Sequence, residues 1–185
     1  VERTYDPSGN TVSFSHYDNM GRVDWEQNAD SKYLRTAYTL RGQVYRQWGD
    51  ATNPIQCGYD PIFGAETSLS TFRSAPSTDS ATWPSVGSPD TTAWTYDDAT
   101  GKVWKKTDAL GRTVQFDYND RGLMSSRQWA RYLTASGHTT ERVETSYDYY
   151  PTGETWKVSY NDDVEPIPTP NVTYPYDRLG HMTQV

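Results

Sequence analysis

The chain repeats one short pattern, in which a tyrosine and an aspartate precede a glycine by a few residues. The clearest copy lies within residues 103–123, where Gly111-Arg112 opens an alternating run that ends at Tyr118, before a second glycine, Gly122. Apolar and polar side chains alternate along this run, which places them on opposite faces of a strand. Asn, Asp and Gly at the turn bond locally and permit a positive φ. The pattern therefore predicts a β-hairpin.

The same pattern recurs nine times between Tyr5 and Gly180, and this repetition predicts an architecture rather than a single turn. Successive copies start 12, 21, 21, 37, 11, 11, 29 and 29 residues apart. Several of these gaps are near multiples of ten or eleven residues, about one strand plus one tight turn. The predicted structural repeat positions are Tyr5, Asp6, Gly9, Tyr17, Asp18, Gly21, Arg22, Tyr96, Asp97, Gly101, Gly111, Arg112, Tyr118, Gly122, Tyr147, Asp148, Gly153, Tyr176, Asp177 and Gly180.

This repetition resembles the YD-repeat family, also called Rhs repeats, whose core reads roughly G-R-x5-Y-D-x-x-G. The nearest matches are Gly111-Arg112 to Tyr118 and the segment YDNMGR at residues 17–22. TDALGR at residues 107–112 and YDRLGH at residues 176–181 are similar. The resemblance covers nearly the whole chain. It implies an all-β fold, a twisted sheet of successive antiparallel hairpins that is a fragment of a β-ribbon shell.

In that family the ribbon closes into a hollow shell around a C-terminal polypeptide, often a toxin, as in polymorphic Rhs toxins and the Tc-toxin cocoon. The resemblance implies a secreted or cell-surface location and two partners, namely the remaining repeats of a longer chain and the enclosed cargo. An array of hairpins leaves an open strand at each end. Because open strands pair readily, we also expect self-association through the sheet edges.

Composition agrees with a β fold and excludes several classes of partner. The 26 aromatic residues (15 Tyr, 7 Trp, 4 Phe) compensate for an apolar fraction of only 34%, since each buried aromatic removes about 150–250 Å² from water. A net charge of −7 argues against binding to nucleic acid, where a basic patch is expected. No apolar run approaches the roughly 20 residues that span a bilayer, so we expect no membrane insertion.

We interpret residues 1–185 as one array of repeats with two irregular parts. Residues 65–93 are rich in Ser, Thr and Pro and predict an irregular, partly packed flap. Residues 161–171 contain three prolines, which cannot donate to a central ladder, and predict a loop at the rim of the sheet. The chain starts directly before a repeat and ends one strand past a glycine turn, which suggests a piece of a longer array.

The sequence offers weak candidates for catalysis or metal binding. Asp before a turn glycine bonds the turn backbone, an Asx turn, which accounts for the repeated carboxylates without catalysis. Only residues 161–163 are dense enough in oxygen ligands to consider calcium. His16, His138 and His181 are isolated in the sequence, and Cys57 is the only cysteine. We therefore predict a protein that is not an enzyme and holds no cofactor or metal.

Exposed aromatic side chains suggest an alternative function, a cell-surface or secreted module that binds carbohydrate. Stacking between tyrosines across strands, worth about 0.2–1 kcal/mol per pair, accounts for most of these rings. Trp83 and Trp94 lie near the irregular flap and are the candidate glycan-binding residues. An outward row of tryptophans favours the glycan hypothesis, and inward packing favours the shell.

Overall fold

The regular elements of the structure are β-strands paired in the order of the chain. The computed structural model describes residues 2–9, 11–74 and 78–183. Within these ranges each strand pairs antiparallel with its neighbours in sequence, and no helix is present. The predicted all-β fold of successive antiparallel hairpins is confirmed. Nothing helical in the described ranges has the length and apolar character needed to cross a membrane.

The chain divides into two compact units, Val1–Ala93 and Trp94–Val185. The strands of the first unit are β1 (Glu2–Tyr5), β2 (Thr11–Tyr17), β3 (Val23–Asn28), β4 (Tyr33–Tyr38), β5 (Val44–Trp48), β6 (Ile55–Tyr59), β7 (Glu66–Thr71) and the first part of β8 (Asp90–Tyr96). The second unit holds the rest of β8 with β9 (Val103–Thr107), β10 (Thr113–Tyr118), β11 (Met124–Tyr132), β12 (Arg142–Tyr149), β13 (Thr155–Tyr160) and β14 (Val172–Thr173).

Each unit has a small buried core. In the first unit Trp48, Pro54 and Cys57 are buried. In the second unit the buried apolar residues include Val143 and Val158, on adjacent strands β12 and β13. Most other strand residues are only half-buried. Each strand is covered at its sides by the strands that pair with it, but its two faces stay partly open to solvent.

The irregular flap is shorter than predicted. Glu66–Thr71 and Asp90–Tyr96 are strands β7 and β8, and Ser68 pairs with Ala93. Threonine forms strands readily, but without alternating apolar residues the Ser- and Thr-rich sequence gave no strand signal. The irregular part is therefore residues 72–89, of which 75–77 lie outside the described residues. The Pro-rich loop has the predicted bounds, 161–171, between β13 and β14.

Candidate functional site

The tyrosine turns of each unit lie together on one edge of its strands. Because neighbouring strands are antiparallel, successive turns alternate between two edges. In the first unit the turns after Tyr17, Tyr38 and Tyr59 share one edge. In the second unit the turns after Tyr96, Tyr118, Tyr149 and Tyr176 do so. We call this edge of each unit the tyrosine edge. The predicted turns at Tyr5 and Gly111 lie on the opposite edge of their units.

The side chain that follows the tyrosine stabilises the turn where it is Asp, Asn or Thr. At Asp18, the backbone N–H of Gly21 donates to the Asp18 carbonyl (3.0 Å), and Gly21 has φ 76°. The carboxylate Oδ1 accepts from the N–H groups of Met20 (2.8 Å) and Arg22 (2.9 Å), and Oδ2 accepts from Arg22 Nε (2.8 Å). The bonds from the Arg22 side chain and backbone lower the pKa of Asp18. The Asx-turn interpretation of the aspartates is confirmed at this turn, and the same bonds recur at Asp108 and Asp177.

The tyrosine supplies a hydrogen bond where the strand ladder ends. Between β3 and β4, the paired residues extend from Gln27↔Tyr33 to Trp25↔Arg35 and no further towards the tyrosine edge. On the β5 side of β4, the register shifts between Ala37 and Tyr38, which marks a β-bulge. Beyond the last pair, the Tyr38 hydroxyl donates to the Val23 carbonyl at 2.7 Å. A long side chain therefore satisfies a carbonyl that the backbone ladder does not reach.

The same bond forms in both units. Tyr59 donates to the Val44 carbonyl (2.7 Å) and Tyr118 to the Val103 carbonyl (2.9 Å), in each case across 15 residues. Tyr149 donates to the Met124 carbonyl (2.8 Å) across 25 residues. Burial raises the pKa of these tyrosines, to about 12 for Tyr59. The hydroxyls therefore stay protonated and act as donors throughout the physiological range.

A second side chain joins each of several turns to the next one on the tyrosine edge. The residue after the turn glycine points forward: Gln43 Nε2 donates to the Gly64 carbonyl, and Lys102 Nζ donates to the Gly122 carbonyl, both at 2.6 Å. Lys102 Nζ also lies 5.1 Å from the centre of the Tyr118 ring. We call the tyrosine hydroxyl bond together with this forward contact the clasp. At these joints it links one hairpin to the next on the same edge.

The clasp residues that the sequence did not identify are Gln43 and Lys102. The sequence signal for both is a polar side chain directly after a turn glycine. Arg22 occupies the same position after Gly21. Its guanidinium lies 4.5 Å from the centre of the Tyr38 ring, and its Nη1 donates to the Thr39 carbonyl (3.4 Å).

Glu154 occupies the forward position after Gly153 but cannot donate a hydrogen bond as a carboxylate. Its Oε2 atom is buried and has no hydrogen-bond partner. Tyr176, in the hairpin that follows, packs its ring edge-on against Tyr150 (5.8 Å between centroids). This joint therefore lacks the forward contact found at Gln43 and Lys102.

The register of the repeat before Gly153 differs from the prediction. The N–H of Gly153 donates to the carbonyl of Tyr150, and the clasp hydroxyl belongs to Tyr149. Tyr149 and Tyr150 therefore occupy the positions of a tyrosine and its aspartate, and not Tyr147 and Asp148, which lie within β12. The sequence pattern indicated Tyr147-Asp148 because Tyr150 replaces the usual aspartate.

The remaining predicted tyrosines differ in their surroundings. Tyr5 is exposed at the end of β1. Tyr17 donates to a side chain, Glu2 Oε2 (2.7 Å), and not to a backbone carbonyl. Tyr96 is half-buried at the end of β8 and has a partner, and Asp97 beside it accepts from the Thr100 N–H (2.8 Å).

The two candidate glycan-binding tryptophans are both half-buried. Trp83 packs edge-on against Trp48 (5.7 Å) and Phe72 (5.8 Å), and Arg46 lies 4.5 Å from its ring centre. Trp94 has Lys106 Nζ 5.7 Å from its ring centre. The structure thus places Trp83 inside an aromatic cluster of the first unit.

The described residues of the segment 72–89 are fixed to the strands of the first unit. Arg35 and Asp79 form a two-point ion pair (2.8 and 2.5 Å), and Trp48 Nε1 donates to the Ser80 carbonyl (2.9 Å). Together with Trp83, these contacts agree with the predicted partial packing.

The other titratable candidates pair locally. His16 Nδ1 lies 2.6 Å from Asp24, and His138 and His181 pair with acids three and four residues away. Asp162, in the segment considered for calcium, is buried and accepts from the N–H and hydroxyl of Thr169. Within the described ranges, no group of three or more His, Cys, Asp and Glu side chains has a metal-binding arrangement. Cys57 is buried, and burial raises the pKa of its thiol.

A scan against protein-family models and a search of curated proteins give no match. Solved structures with a similar chain path include TcdB2-TccC3 without its hypervariable C-terminal region (16% identity, TM-score 0.40) and TcdB2-TccC3 itself (17% identity, TM-score 0.39). Each match covers 97% of this chain and 12% of the other. A third is the Tc holotoxin pore of Photorhabdus luminescens with a mutated TccC3 (14% identity, TM-score 0.31), with 97% and 13% coverage. This chain thus spans about an eighth of the length of those chains.

Proposed function

We propose that this chain is a non-catalytic wall segment of a YD-repeat shell that encloses a polypeptide cargo, such as a C-terminal toxin. The observation that supports the proposal is the clasp. Its tyrosine hydroxyl bond to a backbone carbonyl recurs at Tyr38, Tyr59, Tyr118 and Tyr149, so neighbouring hairpins are joined by equivalent bonds. Repetition of equivalent contacts suits a wall, whereas catalysis requires different groups that converge on one point.

The partial burial of the strand faces supports the same proposal. Side chains on these faces are mostly half-buried within each unit. A wall needs two accessible faces, one towards the cargo and one towards the outside. The partners that we propose are further repeats and the cargo, and the location is outside the producing cell.

The test is the intact mass of the protein isolated from its natural source, combined with limited proteolysis of the same sample. We expect a product far heavier than 21.1 kDa and a C-terminal piece that the protease cannot reach. The matched control repeats the digestion after denaturation, where this piece must be cleaved. A native product of about the mass of this chain would contradict the proposal, because so few strands cannot surround a domain.

A second experiment connects protection to the clasp. In the same native protein, the Tyr118→Phe substitution removes the hydroxyl that bonds the Val103 carbonyl. We expect faster digestion of the protected piece than in the unmodified protein. The exposed Tyr132 provides the control substitution, Tyr132→Phe, which should leave the digestion rate unchanged.

A further inference from the structure

Arg127, on strand β11, is a half-buried cation without an acceptor. The other half-buried arginines all bond an oxygen: their acceptors are Asp18 for Arg22, Asp79 for Arg35, Gln56 for Arg46, and the Trp129 and Thr113 carbonyls for Arg142. Among the described residues Arg127 has neither a hydrogen bond nor an ion pair, and its Nε is buried without a partner. Arg127 as a whole is half-buried, so part of its side chain remains in contact with solvent.

The surroundings of Arg127 are apolar and aromatic. Its guanidinium carbon lies 3.8 Å from the centre of the Trp129 ring. Its cross-strand neighbours are Phe116 on β10 and Thr145 on β12, and Tyr160 on β13 lies across from Thr145. We call this group of residues (Phe116, Arg127, Trp129, Thr145 and Tyr160) the Arg127 face.

The acids of these strands lie on the other side of the sheet. Asp117 and Glu144 are adjacent in sequence to Phe116 and Thr145, so alternation directs their side chains to the opposite face. There Asp117 accepts from the Ser126 hydroxyl (3.1 Å) and Glu144 from Gln128 Nε2 (3.0 Å). The Arg127 face therefore carries a positive charge with no acid of its own.

A guanidinium that is half-buried and unpaired has lost part of its hydration without gaining an acceptor, which is costly. We propose that the Arg127 face docks a polypeptide segment in which a carboxylate side chain lies between apolar side chains. A carboxylate matches the planar fork of arginine, and the apolar neighbours of the segment match Phe116 and Trp129. Arginine and tryptophan are enriched among the residues that contribute most of the binding energy at protein interfaces. This inference rests on the proposed function for the source of the segment, the enclosed cargo.

The test measures binding of two matched peptides to the 185-residue chain. The probes are acetyl-Leu-Glu-Leu-amide and acetyl-Leu-Gln-Leu-amide, which differ only in the charge of the central residue. Binding is followed by the NMR signals of Arg127 Nε–H and Trp129 Nε1–H. We expect saturable shifts of both signals with the Glu peptide, and binding at least about tenfold weaker with the Gln peptide, since one desolvated charge pair is worth 1.4 kcal/mol or more.

Two variants identify the residue responsible. Arg127→Met keeps an apolar stem and should abolish the preference for the Glu peptide in the Trp129 signal. Arg131→Met removes an exposed arginine of the same strand and should keep the preference. Thermal unfolding of both variants verifies that they are folded, and a preference that survives Arg127→Met would overturn the proposal.

Sodium acetate separates a peptide surface from a simple anion site. If acetate shifts both signals with the affinity of the Glu peptide, the apolar side chains contribute nothing and the proposal is wrong. Equal binding of the Glu and Gln peptides would also overturn it. Either failure leaves the wall function intact, since that function is tested independently by native mass and protease protection.

Discussion

The turns on the two edges of the strands differ in how regular they are. On the tyrosine edge the turns are short and nearly uniform, with a glycine four or five residues after each tyrosine and backbone bonds that close every turn. On the opposite edge the connections range from the tight turn at Asn28 to the long segments 72–89 and 161–171. The tyrosine edge is therefore the regular one, whereas the opposite edge combines repeat turns, at Gly9 and Gly111, with long irregular loops.

The difference shows what the repeat conserves physically. Tyrosine hydroxyls and forward side chains join turn to turn on the tyrosine edge. On the opposite edge each loop is fixed by its own contacts, such as Asp79 with Arg35 or Glu165 with the N–H and hydroxyl of Thr134. The first edge holds the array together, and the second is stabilised locally.

The largest effect is expected on the opposite edge, at Gly49. It has φ 135°, and a Cβ atom there would lie 2.0 Å from the Tyr33 carbonyl oxygen. Gly49→Ala should therefore lower the free energy of unfolding by about 3 kcal/mol, through a backbone clash and an unfavourable conformation. Urea denaturation measures the change. Gly87→Ala is the control, since nothing lies within 4 Å of its added carbon; equal losses in both variants would refute the role of this close approach.

Loss of a clasp hydroxyl comes next. Tyr118→Phe leaves the Val103 carbonyl without its donor and should lower the free energy of unfolding by about 1–3 kcal/mol. The control is Tyr132, which is 54% exposed near the opposite edge. Tyr132→Phe should change the free energy of unfolding by less than about 0.5 kcal/mol. Similar effects for the two tyrosines would remove the distinction between the edges.

The third effect is a pH dependence of the tyrosine edge. Burial raises the pKa of Tyr59 to about 12, against about 10 in an unfolded chain. Because the neutral hydroxyl is favoured in the folded state, its contribution is complete below pH 10 and is lost as the pH rises through 12. Urea midpoints measured between pH 9 and 12 should fall less steeply in Tyr59→Phe. Identical slopes in the two proteins would contradict the shift.

The smallest effect is a gain at the incomplete joint. In Glu154→Gln, the amide can donate a hydrogen bond to the next turn, as Gln43 does to the Gly64 carbonyl. The substitution should raise the urea midpoint slightly. This increase should be smaller than the decrease caused by Tyr118→Phe. Asp163→Asn, at an exposed acid of an opposite-edge loop, is the control and should have no effect. A lower midpoint for Glu154→Gln would mean that the carboxylate itself stabilises the joint.

Much of the fold could be predicted because its signals are local. The tyrosine, aspartate and glycine of each turn lie within six residues, and the Asx bond at Asp18 connects residues two and four apart. Strands β7 and β8 were missed because their Ser and Thr residues do not alternate with apolar ones. The shifted register at Tyr149 was missed because Tyr150 stands where the motif has aspartate.

The clasp was not predictable from the turn motif. Its bonds connect residues 15 to 25 positions apart, and they depend on the alternation of turns between edges, which requires the strand pairing. The Arg127 face was also missed, because the unpaired state of a cation depends on which neighbours lie on the same face. A single arginine in a strand gives no such signal in the sequence.

The clasp of Tyr149 spans ten more residues than the clasp of Tyr118, yet its hydroxyl bond is equally short. The additional residues belong to the loop between β11 and β12 on the opposite edge. A foreign peptide of similar length grafted into the tight turn at Asn28 should therefore be displayed without loss of the neighbouring joints. The tyrosine edge keeps its contacts while the opposite-edge loops differ in length. The array is therefore a suitable scaffold for engineered loops on the opposite edge.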